Sequence, residues 1–269
     1  MCQLLGMNCN VPTDICFSFT GFQKRGGDTD IHADGWGIAF FEGGGVRLFL
    51  DPLPSAQSPI AELVRHYPIR SLNVIAHIRK ATQGVVSLEN THPFQRELWG
   101  QYWVFAHNGN LPGFCPELVG SFVPVGNTDS ELIFCWLLQC LRLRYDAKSP
   151  SRDELFIELH RLILPITGLG IFNFLLSNGE WLIAHCSTEL NYVTRRAPFT
   201  TAHLKDEDVM VDFSHVTTPN DQVAVIATQP LTDNETWVNM PPGSLWLFQD
   251  GEAVDHLATQ PSPVTSLAN

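Results

Sequence analysis

Charged residues are scarce in this chain, and basic ones are the scarcer kind. Only 16% of the 269 residues are charged, with 16 Lys and Arg against 28 Asp and Glu, which gives a net charge of −12 with histidine neutral. A surface of this sign repels polyanions at long range and argues against nucleic acid or an acidic membrane face as a partner. The hydrophobic fraction of 44% is that of an ordinary globular protein rather than of a disordered one.

Long apolar runs and paired cysteines are missing as well. The longest apolar stretch, Leu132 to Leu138, is much shorter than the roughly 18 residues that a membrane-spanning helix needs. The first residues have neither the basic region nor the apolar run of a secretory signal. The seven cysteines form no C-x-x-C pair, and no H-E-x-x-H motif occurs. We therefore expect a soluble cytoplasmic protein with reduced thiols, without a metal site or a bound cofactor.

Short β-type runs lie on both sides of a helical block. We predict strands at residues 36–41, 46–50, 72–77, 102–107, 171–177, 180–185, 191–195, 222–227 and 244–249. Serine or threonine caps, followed by proline or by glutamate three residues later, predict helices over 58–66, 128–145 and 151–164. Asn178-Gly179 predicts a type I′ hairpin turn, and Asp250-Gly251 predicts a second tight turn.

This order of elements favours an α+β fold over an alternating βαβ fold. Strands grouped on both sides of helices fit antiparallel sheets that are covered by helices. No Pro/Ser-rich linker or internal repeat divides the chain, so we expect one domain over residues 2–269. Residues 197–221 read as a loop and are a candidate for the rim of a pocket.

Cys2 is the first candidate for chemistry. Once Met1 is removed, its thiol and a free α-amine belong to the same residue. An amine with a pKa near 8 can take the proton of a thiol with a pKa of about 8.5, which is the logic of N-terminal nucleophile hydrolases. Taken by itself, the position is equally open to a small hydrophobic side chain that only packs.

Four further residues, at three places in the sequence, have the chemistry that a free amino-acid substrate requires. Arg79 follows a predicted strand and can hold a carboxylate with two parallel hydrogen bonds. Asn108 and Gly109 break another strand and can point donors at an oxyanion, and Asp129 in the first turn of a helix can accept from an ammonium group. Each also has an ordinary explanation, namely a surface ion pair, a plain turn and a dipole-favoured helix start.

Seven short segments, spread over nearly the whole chain, carry a family resemblance. They are Met1-Cys2, His32-Ala33-Asp34-Gly35-Trp36-Gly37, His77-Ile78-Arg79-Lys80-Ala81-Thr82, Asn90-Thr91-His92-Pro93-Phe94, His107-Asn108-Gly109, Thr128-Asp129-Ser130-Glu131 and the 227–237 segment A-T-Q-P-L-T-D-N-E-T-W. In this order they resemble the class II glutamine amidotransferases of the N-terminal nucleophile fold. The last segment is similar to that of the stand-alone YafJ-type subgroup.

The resemblance implies a four-layer αββα sandwich and a mechanism. Cys2 attacks the side-chain amide of glutamine or of a γ-glutamyl amide and forms a γ-glutamyl thioester, which water then hydrolyses to glutamate. Asn108 and Gly109 are implied as the oxyanion donors. Arg79 with Thr82 is implied to bind the α-carboxylate, and Asp129 to bind the α-ammonium group.

The resemblance also implies a supporting set around these residues: His32, Asp34, Trp36, His77, His92 and His107. We expect the last three to orient loops rather than act as bases, because the α-amine already has that role. One departure from the family pattern is Gln83, which stands where many members have histidine and leaves an additional carboxylate contact in doubt.

The sequence leaves two questions open. No acceptor site is visible, so the protein either transfers ammonia to a separate acceptor protein or only hydrolyses a small γ-glutamyl compound. The alternative from a different class is a catalytically idle fold that binds a partner protein or an amino acid. It predicts that Met1 stays in place.

Overall fold

The computed structural model describes residues 2–81 and 85–260 and contains two large antiparallel sheets. The strands are β1 Gln3–Thr13, β2 Trp36–Glu42, β3 Gly45–Asp51, β4 Ser71–Ile78, β5 Phe94–Leu98, β6 Gln101–Asn110, β7 Ile171–Ser177, β8 Leu182–Cys186, β9 Asn191–Arg196, β10 Thr201–His203, β11 Met210–Asp212, β12 Gln222–Ala227, β13 Val238–Asn239, β14 Ser244–Gln249 and β15 Glu252–Ala258. The helices are α1 Cys16–Lys24, α2 Pro59–His66, α3 Asp129–Tyr145 and α4 Arg152–Thr167.

The two sheets stack and each is covered by a pair of helices, as expected for the αββα sandwich. One sheet has the order β13-β9-β12-β1-β4-β2-β3, and the other has the order β15-β14-β8-β7-β6-β5. Side chains such as Leu4 and Leu175 form the core between the sheets. Phe19 of α1 packs against the outer face of the first sheet, and Phe134 of α3 packs against that of the second.

The predicted helices begin where their caps indicate. The Ser58 and Thr128 hydroxyls accept from the N–H groups of Ala61 and Glu131, while Ser151 and Glu154 form a complete reciprocal capping box. The reciprocal box predicted for α3 is wrong. The Glu131 carboxylate accepts instead from the N–H groups of Val125 and Gly126, at 3.0 and 2.7 Å, and it pairs with Arg96.

Two local predictions fail. Asn178-Gly179 is not a type I′ turn, because only Gly179 has positive φ and the strands resume at Leu182 after a four-residue loop. Trp181 leaves the strand because its ring packs against Trp103 in the core, with ring centroids 5.5 Å apart. Asp250-Gly251 does join β14 and β15 tightly, with positive φ at both residues.

The 197–221 segment is not a plain loop. It contains the two-stranded β10–β11 sheet, in which Thr201 pairs with Asp212. The tip of this hairpin is fixed to the body of the protein by Arg25, whose guanidinium contacts Asp206 at 2.8 Å. The segment borders a cavity on the outer face of the first sheet and supplies no lining residue of the cavity at Cys2.

Candidate active site

Cys2 lies at the start of β1, the central strand of the first sheet. Because β1 is antiparallel to β4 and Gln3 pairs with Ile78, Cys2 meets the residues that follow β4. Its Sγ accepts from the Lys80 N–H at 3.3 Å and lies 3.4 Å from the Lys80 carbonyl oxygen. Burial raises the pKa of the Cys2 thiol, whereas the Lys80 N–H acts in the opposite direction.

Asp34 holds the segment that carries Arg79. The Asp34 carboxylate accepts from the Ala81 N–H at 2.7 Å, and its backbone N–H donates to the Arg79 carbonyl at 3.1 Å. The Arg79 backbone N–H donates to Gly35 at 2.8 Å, which completes a two-way connection between the two segments. Asp34 thus helps to position the segment that carries Arg79.

Arg79 is only 3% exposed, although it lies beyond the end of β4. Its Nη1 donates to the Val85 carbonyl at 3.1 Å. Burial lowers the pKa of the guanidinium, but arginine starts so high that the group remains a cation. A buried cation facing a cavity attracts a carboxylate strongly because little solvent screens the pair.

Asn108 and Gly109 lie within β6 beside Cys2, where they pair with Asn173 and Phe172, so the predicted break of the strand at these two residues is wrong. The Asn108 Nδ2 donates to the Cys2 carbonyl oxygen at 2.7 Å, so this side chain fixes the backbone of the proposed nucleophile. Gly109 has no room for a side chain, because an added Cβ would lie 1.9 Å from the Ile171 carbonyl oxygen. This close approach to β7 explains the glycine by packing, and Gly109 is one of the residues that line the cavity.

Asp129 opens α3 at the opposite side of the same space. Its Oδ2 accepts from the Leu111 N–H at 2.7 Å, and its Oδ1 lies 3.3 Å from the Ser130 hydroxyl. The Ser130 hydroxyl is also 2.9 Å from Nδ1 of His107. The His107 Nε2 lies 3.2 Å from the Ile171 carbonyl, which can only accept, so the proton of the neutral ring lies on Nε2.

A cavity of about 30 Å³ joins these groups. It is lined by Cys2, Arg79, Lys80, Ala81, His92, His107, Gly109, Thr128, Asp129 and Ser130. The structure therefore brings six of the sequence-predicted site residues to one space: Cys2, Arg79, His92, His107, Gly109 and Asp129.

Three of the predicted histidines are buried at the cavity, and two of them, His92 and His107, line it. The rings of His77 and His92 lie 4.3 Å apart, and His92 lies 4.4 Å from Phe94. Burial lowers the pKa of His77 to about 3 and holds the pKa values of His92 and His107 below their usual range. All three are neutral near pH 7, which suits the expected positioning part better than service as a cationic acid.

Of the described residues in the predicted set, His32, Asp34, Trp36, His77 and Asn108 are not part of the cavity lining. His32 pairs with Asp30 at 2.9 Å, and Trp36 is fully buried in the core, where its ring is 5.6 Å from Phe19. Thr82 and Gln83 fall outside the described residues. Sequence reasoning missed two contacts, the Lys80 N–H at the Cys2 sulfur and the Ser130 hydroxyl at His107. Both residues stand inside the quoted motifs, so the signal was present, but only the fold shows which groups face inward.

Other kinds of site find little support in the described parts of the chain. Within residues 2–81 and 85–260, no three His, Cys, Asp or Glu side chains are placed to hold a metal ion. The same residues include no helix with the length and hydrophobicity to cross a membrane. All seven cysteines are free thiols.

Comparisons with known proteins agree with the motifs. A family model described as "Glutamine amidotransferases class-II" matches residues 1–268. The Escherichia coli K12 protein named "Putative glutamine amidotransferase YafJ" is 57% identical over 254 residues, which are 94% of this chain and all of that protein. A Haemophilus influenzae protein with the same general name is 54% identical over 97% of this chain and 88% of its own length.

Solved structures show that the fold of this chain is also similar to that of known amidotransferases. The crystal structure titled as a predicted glutamine amidotransferase from Pseudomonas aeruginosa PA01 is 47% identical and superposes with a TM-score of 0.76 over 94% of this chain and 99% of that one. Phosphoribosylpyrophosphate amidotransferase of Bacillus subtilis has a TM-score of 0.54 at 14% identity, over 95% of this chain and 49% of its own, and shares the fold alone. With a family match over nearly its whole length and relatives above half identity, the chain belongs to the class II glutamine amidotransferases.

Proposed function

We propose that the protein hydrolyses the side-chain amide of glutamine, or of a small γ-glutamyl amide, with Cys2 as nucleophile. The observation that carries the proposal is the shared cavity, in which the Cys2 sulfur faces a buried cation, Arg79, and a carboxylate, Asp129. A free amino acid carries the complementary charges on its α-carboxylate and α-ammonium groups. Family membership supports glutamine as the substrate class.

The proposed reaction begins with the removal of Met1, because only then does Cys2 have an α-amine. That amine accepts the thiol proton while sulfur attacks the amide carbon, and the oxyanion of the tetrahedral intermediate forms beside Asn108 and Gly109. Collapse breaks the C–N bond, and the leaving nitrogen takes the proton as ammonia or an amine. Water then attacks the γ-glutamyl thioester, which releases glutamate and restores the thiol.

Replacement of the sulfur tests the nucleophile. We expect Cys2→Ala to abolish glutamate release from glutamine and γ-glutamyl amides with an unchanged circular dichroism spectrum, because the alanine side chain cannot form the thioester. Cys115→Ala is the matched control, since this cysteine is exposed and remote from the cavity. Equal turnover by wild type and Cys2→Ala would remove Cys2 from the reaction.

The state of the amino terminus tests the alternative of an idle binding protein. Intact-mass measurement of natively expressed protein should give a chain that begins at Cys2. A preparation that retains Met1 lacks the proposed base and contradicts the enzymatic proposal. A panel of γ-glutamyl amides, assayed with and without candidate acceptor proteins, then separates hydrolysis from ammonia transfer.

A further inference from the structure

A second and much larger cavity lies on the outer face of the first sheet. Its volume is about 650 Å³, against about 30 Å³ for the cavity at Cys2, and the two have no lining residue in common. It is bounded by the sheet, by α1 with the end of β1, and by the 197–221 segment with its β10–β11 hairpin. A volume of this size is typical of small-molecule sites, which span roughly 300–1,000 Å³.

The lining is mainly apolar and comes from three sides. Met7, Val223 and Val225 of the sheet form the floor, and Phe17 of α1 forms one wall. The hairpin segment covers the space with five apolar side chains: Phe199, Val209, Val211, Phe213 and Val216. Because these side chains are only partly buried by the protein itself, a ligand in the cavity would remove further apolar surface from water.

Aromatic rings dominate one end of the cavity. Phe17 and Phe213 meet edge to face with centroids 5.4 Å apart, and the guanidinium carbon of Arg195 lies 4.7 Å from the Phe213 centroid. Phe199 lines the same cavity. An edge-to-face pair exposes one ring edge and one ring face to a bound aromatic ring. A ligand ring can therefore pack edge to face or offset-stacked, the two geometries that aromatic pairs prefer.

The cation at this end is already neutralised. Arg195 donates to both carboxylate oxygens of Glu235, at 2.8 and 2.7 Å, and its third nitrogen donates to Ser18 at 3.3 Å. The other charged residues of the lining are of mixed sign. Arg70 is exposed, and the carboxylates of Asp14 and Asp221 accept from the N–H groups of Cys16 and Thr218. The lining therefore gives no preference for a charged ligand.

The 197–221 segment, which covers the cavity and forms its roof, is held to the body of the protein by side-chain contacts. Arg25, which is 4% exposed, binds Asp206 of the hairpin segment and also donates to the carbonyls of Gln229 and Pro230, at 3.0 and 2.7 Å. Leu204 is buried in the same connection. The space beneath the hairpin is thus formed before any ligand arrives, which lowers the free-energy cost of binding.

We infer that this cavity is a binding site for one uncharged aromatic small molecule, separate from the Cys2 site. The apolar floor and roof take the body of the ligand, the phenylalanine rings favour an aromatic one, and the compensated Arg195 gives no net charge for an anion to neutralise. The inference goes beyond the proposed function and does not depend on it.

The probe for this site is N-phenyl-1-naphthylamine, an uncharged aromatic dye whose fluorescence rises in apolar surroundings. We expect saturable binding with one dye per chain. Val211→Trp places an indole under the roof and should weaken binding by about tenfold or more, equal to about 1.4 kcal/mol or more. Val254→Trp on β15, where the valine is 47% exposed and outside this cavity, is the matched control and should bind like the wild type.

Two additions keep the test decisive. Thr20→Trp fills the cavity from α1, on the opposite wall, so it replaces Val211→Trp if that variant fails to fold by circular dichroism. The sulfonated analogue 8-anilino-1-naphthalenesulfonate has nearly the same rings with a negative charge, and we expect weaker binding. Absence of saturable binding, unchanged binding in the filled variants, or equal affinity for the sulfonate would each overturn the inference.

Discussion

Arg79 and Asp129 face one cavity from opposite sides, one after β4 and the other at the start of α3. In the proposed reaction both touch groups of glutamine that do not change charge. Their contribution is therefore made in the ground state as much as in the transition state, and it belongs in KM rather than in kcat. This distinguishes them from Cys2, whose loss stops the chemistry.

We expect Arg79→Ala and Asp129→Asn each to raise KM for glutamine by at least about tenfold, since hydrogen bonds to charged groups contribute about 1.5–3 kcal/mol. kcat should change much less. Steady-state glutamate release over a wide range of glutamine concentration measures both constants. Arg196→Ala is the control, because the side chain of Arg196 is 68% exposed and pairs with Glu252 at the surface. An unchanged KM in both site variants would take these residues out of the substrate pocket.

The sequence motifs identified residues of the cavity, but not which atoms face it. Asn108, predicted as an oxyanion donor, also holds the Cys2 carbonyl, a contact between positions more than a hundred residues apart that no local pattern encodes. Trp36 belongs to a motif, yet its side chain is a core residue. A motif shows only which residues are neighbours in the sequence. Which of their atoms face the cavity, and how far apart these atoms are, depends on the register of β1 against β4 and of β6 against β7.

Helices with capping residues and strands bounded by turn residues could be predicted from the sequence. Elements without such residues, whose position depends on burial in the folded protein, could not. The helices α3 and α4 have side-chain caps, and the central strands of the second sheet have apolar runs between turn residues. Strand β1 escaped prediction because its first seven residues are buried on both faces, so no alternation marks it. Helix α1 escaped because it has no side-chain cap and is rich in phenylalanine, serine and threonine, which are weak helix formers.

The N-caps of α3 and α4 allow a test of whether the start of α3 positions Asp129 for substrate binding. Loss of an N-cap hydroxyl costs about 0.5–2 kcal/mol in either helix. Thr128 lines the Cys2 cavity and precedes Asp129, whereas Ser151 begins α4 on the surface away from it. We expect Thr128→Ala and Ser151→Ala to lower the free energy of unfolding by similar amounts, but only Thr128→Ala to raise KM for glutamine.

Urea unfolding and steady-state kinetics on the same preparations separate the two effects. Thr128→Ser retains the hydroxyl and should restore KM. A Ser151→Ala variant with an equally raised KM would show that the kinetic change follows general destabilisation rather than the position of Asp129.

The protein as a whole combines an acidic surface with buried neutral histidines, and the two respond to acid in opposite ways. Its net charge of −12 falls towards zero near the sequence pI of about 5.1, which relieves repulsion. Burial, however, lowers the pKa of His77 to about 3 and that of His185 to about 4. An unfolded histidine has a pKa of about 6.5, so between these values the unfolded chain binds more protons than the folded one.

These pKa values determine how the free energy of unfolding changes with pH. The contribution of these histidines to stability is complete above about pH 6.5 and is lost as the pH falls towards the folded pKa values, by up to about 1.4 kcal/mol per pH unit and per histidine. We therefore expect the urea midpoint to fall between pH 7 and pH 5. His77→Phe keeps a ring against His92 but cannot be protonated, so its midpoint should fall less over this range. His66→Phe, at a histidine whose side chain is 64% exposed, should follow the wild type. A profile for His77→Phe parallel to that of the wild type would mean that protonation of His77 does not limit folding in acid.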